Sequence, residues 1–282
     1  MAEDLSPTHP LFGLGYAKPA RTRQFLRLDG DTEREGSADV AEEVPVAIAY
    51  NNRPHVVMMA TPADYEDFAI GFSLTEEIVA SPDQIESITV VPYNQGVEIQ
   101  IVIPQSLGER LAERGRQLVG RTGCGLCGVQ TITDALRPPR TVAPPRQPIE
   151  PEALWRAESA LMGRQTLNQA TAAVHAAAWA TADGTLEVVR EDVGRHNALD
   201  KVIGALARAK IDASQGFVVM TSRASYELVQ KVSIVGVPLL AAVSRPSGLA
   251  IRLAESAGIA IVGLLRGRSA NVYTHREHIS HA

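Results

Sequence analysis

Cys124 and Cys127 are the only thiols in the chain, and they lie three positions apart in Arg121-Thr122-Gly123-Cys124-Gly125-Leu126-Cys127-Gly128. The glycines at 123, 125 and 128 give little side-chain cover, so the run reads as sulfur chemistry at an open loop. A C-x-x-C acts as a redox pair, as half of a metal site, or as a carrier of transferable sulfur. Structural zinc needs four ligands. Two more would have to come from His9, His55, His175, His196, His275, His278 or His281, and a split site through His175 and His196 is the remaining zinc reading. A thioredoxin-like pair opens a helix after a strand, and three glycines make a poor helix start. Arg114, Arg116 and Arg121 stand near the pair. Neighbouring cations lower a thiol pKa, and the thiolate is the form that attacks sulfur. These residues favour a carrier and leave zinc and redox roles open.

A second polar cluster recurs at strand-to-helix junctions. Glu191-Asp192-Val193-Gly194-Arg195-His196-Asn197, Thr221-Ser222-Arg223-Ala224-Ser225 and Ser244-Arg245-Pro246-Ser247-Gly248 each follow an apolar run, and Arg266-Gly267-Arg268-Ser269 follows a fourth. Any one junction is explained by helix capping. Four on neighbouring strands would make a rim of hydroxyls and guanidinium groups suited to a nucleotide or other phosphate. No phosphate-loop or dinucleotide fingerprint is present.

The elements that would position these groups fall in two rhythms. In the first half, apolar runs flank Asn51-Asn52-Arg53-Pro54 as a hairpin within 45–60. Thr61-Pro62 reads as a cap opening a helix to about residue 80. Ser87–Pro92 and Gly96–Pro104 pair as strands, and Ser106–Gln117 reads as a helix. The second half alternates: strands over Thr185–Arg190, Gly216–Thr221, Val237–Val243 and Ile259–Leu265 are separated by helices. Leu199, Val202, Ile203 and Leu206 form the buried stripe of the first of these helices. The alternation implies a mostly parallel sheet. Gln147–Ala180, rich in alanine, is expected to supply two helices. The expected divisions are an irregular arm (1–22), an N-terminal α+β part ending in the cysteine loop (23–136), a Pro/Arg-rich linker (137–151), a C-terminal α/β part (152–275) and a tail (276–282).

The chain's 282 residues, 45% hydrophobic and 21% charged, are enough for a sizeable core. A net charge of −5 argues against a general nucleic-acid binder. The first residues lack a signal-peptide core, and no uncharged run reaches membrane-spanning length. A cytoplasmic location is the expectation, with neither nucleic acid nor membrane as partner.

The cysteine run, Glu191 through Lys201, and Thr221-Ser222-Arg223-Ala224-Ser225-Tyr226-Glu227 together resemble the FdhD family of formate dehydrogenase accessory sulfurtransferases. The resemblance extends from about Glu43 to Thr274 and includes Thr61-Pro62 and Gly71-Phe72. It implies a cytidine-deaminase-like three-layer α/β fold, with a mostly parallel C-terminal sheet and a smaller, antiparallel β-rich N-terminal part. It also implies that Cys124 carries a persulfide loaded by a cysteine desulfurase, with Cys127 as its partner. The sulfur then passes to the molybdenum cofactor in its bis-molybdopterin guanine dinucleotide form, bound as a client for formate dehydrogenase. No permanent cofactor and no metal are expected, and a homodimer is. The family's cofactor stretch falls on Leu264, Leu265, Arg266, Gly267, Arg268 and Ser269. Arg223 and the 266–269 turn are the expected phosphate contacts, and His196 a base or phosphate contact. The chain departs from the family pattern near Leu264, where an aromatic residue is common, and at Glu77, where glycine is common. A cofactor-holding chaperone and a zinc-dependent hydrolase or deaminase are the rival readings. The deaminase signature of H-x-E with P-C-x-x-C is absent.

Overall fold

The computed structural model describes residues 6–9, 11–116 and 138–280. The cysteine loop therefore lies outside the described residues. Strands β3 (Val44–Tyr50) and β4 (Arg53–Ala60) form the expected hairpin, and Asn51 and Asn52 take the left-handed turn positions that asparagine tolerates. A second hairpin, β5 (Ser87–Tyr93) with β6 (Gly96–Val102), joins it through parallel β3–β6 pairing, giving the order β4-β3-β6-β5. The N-terminal sheet is thus antiparallel within its hairpins and parallel where they meet.

Helix α1 (Tyr65–Thr75) starts later than expected. Thr61 is no cap: its hydroxyl accepts from Val193 N–H and its own N–H donates to Asp192 Oδ2. The helix instead begins after Asp64, in the left-handed region, and stops before Glu77, also left-handed. Ile78 and Val79 are buried as expected, but in the following turn, where their N–H groups donate to the Ser73 carbonyl. Helix α2 (Gln105–Arg116) follows β6.

Two further differences concern strands. Residues Ala20–Asp29 and Thr32–Ala41 form a long hairpin, β1–β2, reaching back into the expected arm. Its strands are almost wholly exposed and charged, so they lack the apolar alternation that betrays a half-buried strand. Helices α3 (Pro151–Arg164) and α4 (Thr166–Thr171) supply the two helices expected of the alanine-rich run, but its end is strand β7 (His175–Thr181). Ala176 to Ala180, Trp179 among them, are buried, and β7 pairs with β8 on one side and β9 on the other. Tertiary pairing there overrides alanine's helix preference.

Strands β8 (Leu186–Asp192), β9 (Gly216–Met220), β10 (Leu239–Ala242) and β11 (Ala260–Arg266) match the expected positions within two residues. With β12 (Ser269–Val272) the sheet order is β12-β11-β10-β9-β7-β8. Strands β8 to β11 share one direction, and β7 and β12 run against them. Helices α5 (Arg195–Ala209), α6 (Tyr226–Ile234) and α7 (Gly248–Ala257) cover one face of this sheet, and α3 covers the other. The expected stripe of α5, Leu199, Val202, Ile203 and Leu206, is buried.

One core continues from β3, β4 and β6 through α1 into α5, α6 and the larger sheet. The α1–α5 crossing is glycine-lined on both sides. A Cβ on Gly71 would lie 1.7 Å from the Asp200 carbonyl oxygen, and one on Gly204 would lie 1.8 Å from that of Asp67. The segment expected as a tail is packed down: Ile149 bridges Ile279, and His278 is buried.

Candidate functional site

Parallel β8, β9, β10 and β11 deliver their carboxyl ends to one edge of the sheet, and antiparallel β7 brings its first residue, His175, there opposite Asp192. Helices α5, α6 and α7 begin at this edge, so their unpaired N–H groups add positive potential to it. Backbone bonds tie the junctions together: Ser247 N–H donates to the Ala224 carbonyl (3.0 Å) and Leu264 N–H to that of Ser244 (3.3 Å). The polar strand ends do converge.

Beneath the rim is a buried ion pair that the sequence motif held but did not explain. Lys201 and Asp192 are both 0% exposed and meet at 2.7 Å. Every other contact of the pair is a good hydrogen bond. Asp192 accepts from the N–H groups of Thr61 (3.0 Å) and Gly194 (2.8 Å) and from Asn197 (2.9 Å), and Lys201 donates to the Thr61 carbonyl (3.1 Å). Asn197 also donates to the Met59 carbonyl. The network clamps the end of β4 to the first turn of α5. A second pair, Lys231 with Asp200, accepts help from Thr75 and Glu76 at the end of α1. Burial works against the Lys231 ammonium, but Asp200 and Glu76 outweigh it and raise its pKa. A third set ties Asp67 of α1 to Arg190 (2.7 Å) and Arg208 (2.8 Å). The i, i+4 spacing of Asn197 and Lys201 was the available signal; their partners in β4 and α1 were not visible in it.

His196 stands in the first turn of α5. Its Nε2 is buried without a hydrogen-bond partner, and Glu227 Oε2 on α6 lies 3.8 Å away. His196, foremost, holds the Glu227 carboxyl down at about 2 against the opposing effect of burial. Burial, followed by Arg195 and His196, lowers the pKa of His175. Arg195 Nε is likewise buried and unpartnered. Both unpartnered atoms are enclosed within the fold at the start of α5, and that of His196 lies beside the Glu227 carboxylate.

The remaining expected contacts divide. Arg223 and Arg266 are exposed on the rim. Counting about 4.8 Å per strand step, Arg266 and the start of α5 stand on the order of 20 Å apart along it. Leu264 takes a left-handed backbone (φ 53°) at a bulge in the β11–β12 pairing, and Gly267 (φ 58°) makes the turn. Such strain in a branched residue costs about 1–3 kcal/mol and concentrates at ligand sites. Leu265 points into the core, leaving only its backbone for a ligand. Ser269 is exposed. Arg268 turns away to α3, meeting Glu152 at 3.2 Å and lying 4.7 Å over the Trp155 ring. Cys124 and Cys127 lie outside the described residues, so their position relative to the rim is not part of this geometry.

The arrangement defines an α/β protein whose larger sheet carries the exposed Arg223 and Arg266 along one edge, clamped from beneath by the Lys201–Asp192 pair. The sequence profile of the FdhD/NarQ family matches residues 41–280, and the chain belongs to that family. It is 49% identical over 240 residues to the sulfur carrier protein FdhD of Bordetella petrii, covering 85% of this chain and 86% of that one. The sulfur carrier protein FdhD of Xanthomonas euvesicatoria is 52% identical over 240 residues, covering 85% of each chain. The crystal structure of a putative formate dehydrogenase accessory protein from Desulfotalea psychrophila superposes with a TM-score of 0.73 at 24% identity. That match covers 93% of this chain and 99% of that one, and it establishes the shared fold. No described helix is long and apolar enough to cross a membrane.

Proposed function

We propose that this chain is a sulfur carrier acting in the maturation of formate dehydrogenase, with Cys124 as the loaded residue. The observation that carries the reading is the match to sulfur carrier proteins at about half identity over a span that includes Cys124 and Cys127. Cys124 thiolate attacks the outer sulfur of a cysteine desulfurase persulfide. A new sulfur–sulfur bond forms on Cys124, and the desulfurase cysteine leaves as thiolate. Delivery follows when Cys127 thiolate attacks the inner sulfur of the Cys124 persulfide. That step forms the Cys124–Cys127 disulfide and releases hydrosulfide, and a dithiol reductant restores both thiols.

The sulfur acceptor is the molybdenum cofactor in its bis-molybdopterin guanine dinucleotide form, held as substrate on the rim. Arg223 and Arg266 supply exposed guanidinium groups for its phosphates, His196 at the start of α5 is a base or phosphate contact once it turns from Glu227, and the 264–269 bulge and turn lie along the same edge. The carrier works in the cytoplasm as a homodimer. The test is intact-mass measurement after incubation with a desulfurase and cysteine. Added sulfur on wild type and none on Cys124→Ala is expected. Wild type without added sulfur, or Cys124→Ala that still matures formate dehydrogenase, overturns the reading in favour of a chaperone that only holds the cofactor.

A further inference from the structure

The last described residues fold onto the edge of the larger sheet opposite the rim. Thr274 Oγ1 donates to the Ile259 carbonyl (2.7 Å) and accepts from Ile261 N–H (2.8 Å), and Ile149 N–H donates to the His278 carbonyl (2.8 Å). His275, Glu277 and His278 are thereby set between the end of α7 and the start of β10. One ring nitrogen of each histidine and a Glu277 carboxylate oxygen all lie within 4.8 Å of one another.

Groups outside the cluster fix which nitrogens are free. His275 Nε2 lies 3.0 Å from the Glu255 carbonyl oxygen, and His278 Nδ1 lies 3.3 Å from that of Pro238. A carbonyl oxygen only accepts, so each of these nitrogens carries the ring hydrogen. The lone pairs left for a ligand are on His275 Nδ1 and His278 Nε2. Holding the far ring nitrogen with a backbone carbonyl is the arrangement that orients metal-ligating histidines. His275 Nδ1 faces Glu277 Oε1 at 2.9 Å, so a positive charge belongs between them, whether a proton or a metal ion.

We infer that His275, Glu277 and His278 bind a divalent first-row transition metal, zinc above all, which clips the C-terminal segment to the sheet. Two imidazoles and a carboxylate suit zinc rather than calcium or magnesium, which take oxygen ligands. Ligands about 2.1 Å from a tetrahedral zinc stand about 3.4 Å apart, so the cluster must draw in by up to about 1.4 Å and the two stacked imidazole rings must tilt toward a common point. Glu277, with its side chain 67% exposed, and His275 on the exposed side of the pair are the ligands that move. Three protein ligands leave the fourth position to water. The proposed ligands include neither Cys124 nor Cys127, and the inference does not depend on the carrier reading.

The test uses the full-length chain without a histidine tag, stripped by a chelator and titrated with zinc against a chromophoric competitor. Cys124→Ser/Cys127→Ser should still bind one zinc and gain thermal stability from it, as a ligand specific to the folded state does. Glu277→Gln in that background should bind at least about tenfold more weakly, and His278→Gln should not bind. Glu277 is exposed, so its variant keeps the test decisive if His278→Gln fails to fold. No zinc bound in the cysteine-free protein, or equal binding by its Glu277→Gln form, overturns the inference.

Discussion

Replacing Gly204 by alanine would set a methyl carbon 1.8 Å from the Asp67 carbonyl oxygen across the α1–α5 crossing. Carbon–oxygen contacts settle near 3.3 Å, so the helices would have to part by about 1.5 Å. The obstacle is backbone and no side-chain rotation relieves it. Overpacking costs about 1–3 kcal/mol where side chains can give, and this site belongs at the upper limit. Parting the helices also stretches the charged hydrogen bonds of Asp67 with Arg190 and Arg208, at about 1–2 kcal/mol more. Alanine's better helix propensity returns about 1 kcal/mol. The net loss is on the order of 3 kcal/mol. Urea unfolding of wild type and Gly204→Ala should show it as a lower midpoint with an unchanged slope. Gly163→Ala is the control: nothing lies within 4 Å of its added methyl, and it should be neutral or stabilising. A Gly204→Ala variant within 1 kcal/mol of wild type would refute the claim that this crossing is set by backbone contact.

Four further outcomes follow from the geometry. Lys201→Met, which leaves the Asp192 carboxylate buried without its cation, should cost about 3–5 kcal/mol by denaturant unfolding, and Asp192→Asn/Lys201→Met should cost less. Glu227 titrates at about 2 in the fold against 4.5 ordinarily, so its stabilising contribution is complete above 4.5 and lost as pH falls through 2. Thermal unfolding between pH 5 and 2 should therefore decline less steeply in Glu227→Gln than in wild type. With GDP as the probe, Arg223→Ala and Arg266→Ala should each weaken binding about tenfold or more, measured by calorimetry at fixed salt, whereas Arg268→Ala, already engaged by Glu152 and Trp155, should change it little. Glu77→Gly should exchange a left-handed side chain costing about 1 kcal/mol for the loss of an exposed ion pair with Arg140, leaving stability unchanged or slightly raised in a melting experiment.

The parallel strands were legible because they are short apolar runs, covered on both faces, with turn formers at each end. Helix α5 was legible because its stripe keeps helical spacing. Strand β7 was not: alanine carries no strand signature, and only the gap between β8 and β9 decides its conformation. The β1–β2 hairpin hid because its exposed strands follow no burial pattern. On the rim, position was readable and orientation was not. The order of residues put Leu265 and Arg268 beside Arg266, yet the bulge sends one into the core and the other towards α3. The motif from Asp192 to Lys201 announced importance, but its partners at Thr61 and Met59 come from more than a hundred residues earlier. Glu77 and Leu264 both adopt positive φ (55° and 53°), which marks them as positions set by the backbone rather than by surface exposure.

The shared core also bears on how the polypeptide is made. Asp67, Thr61 and Thr75 leave the ribosome well before Arg190, Asp192 and Asp200, the groups that neutralise or hydrogen-bond them. Until residue 209 has emerged, α1 has no helix to lie against, and β3, β4 and β6 expose an unfinished apolar face. Nascent chains halted before that point should be the ones that recruit chaperones or aggregate, and those halted beyond it should grow steadily more resistant to protease.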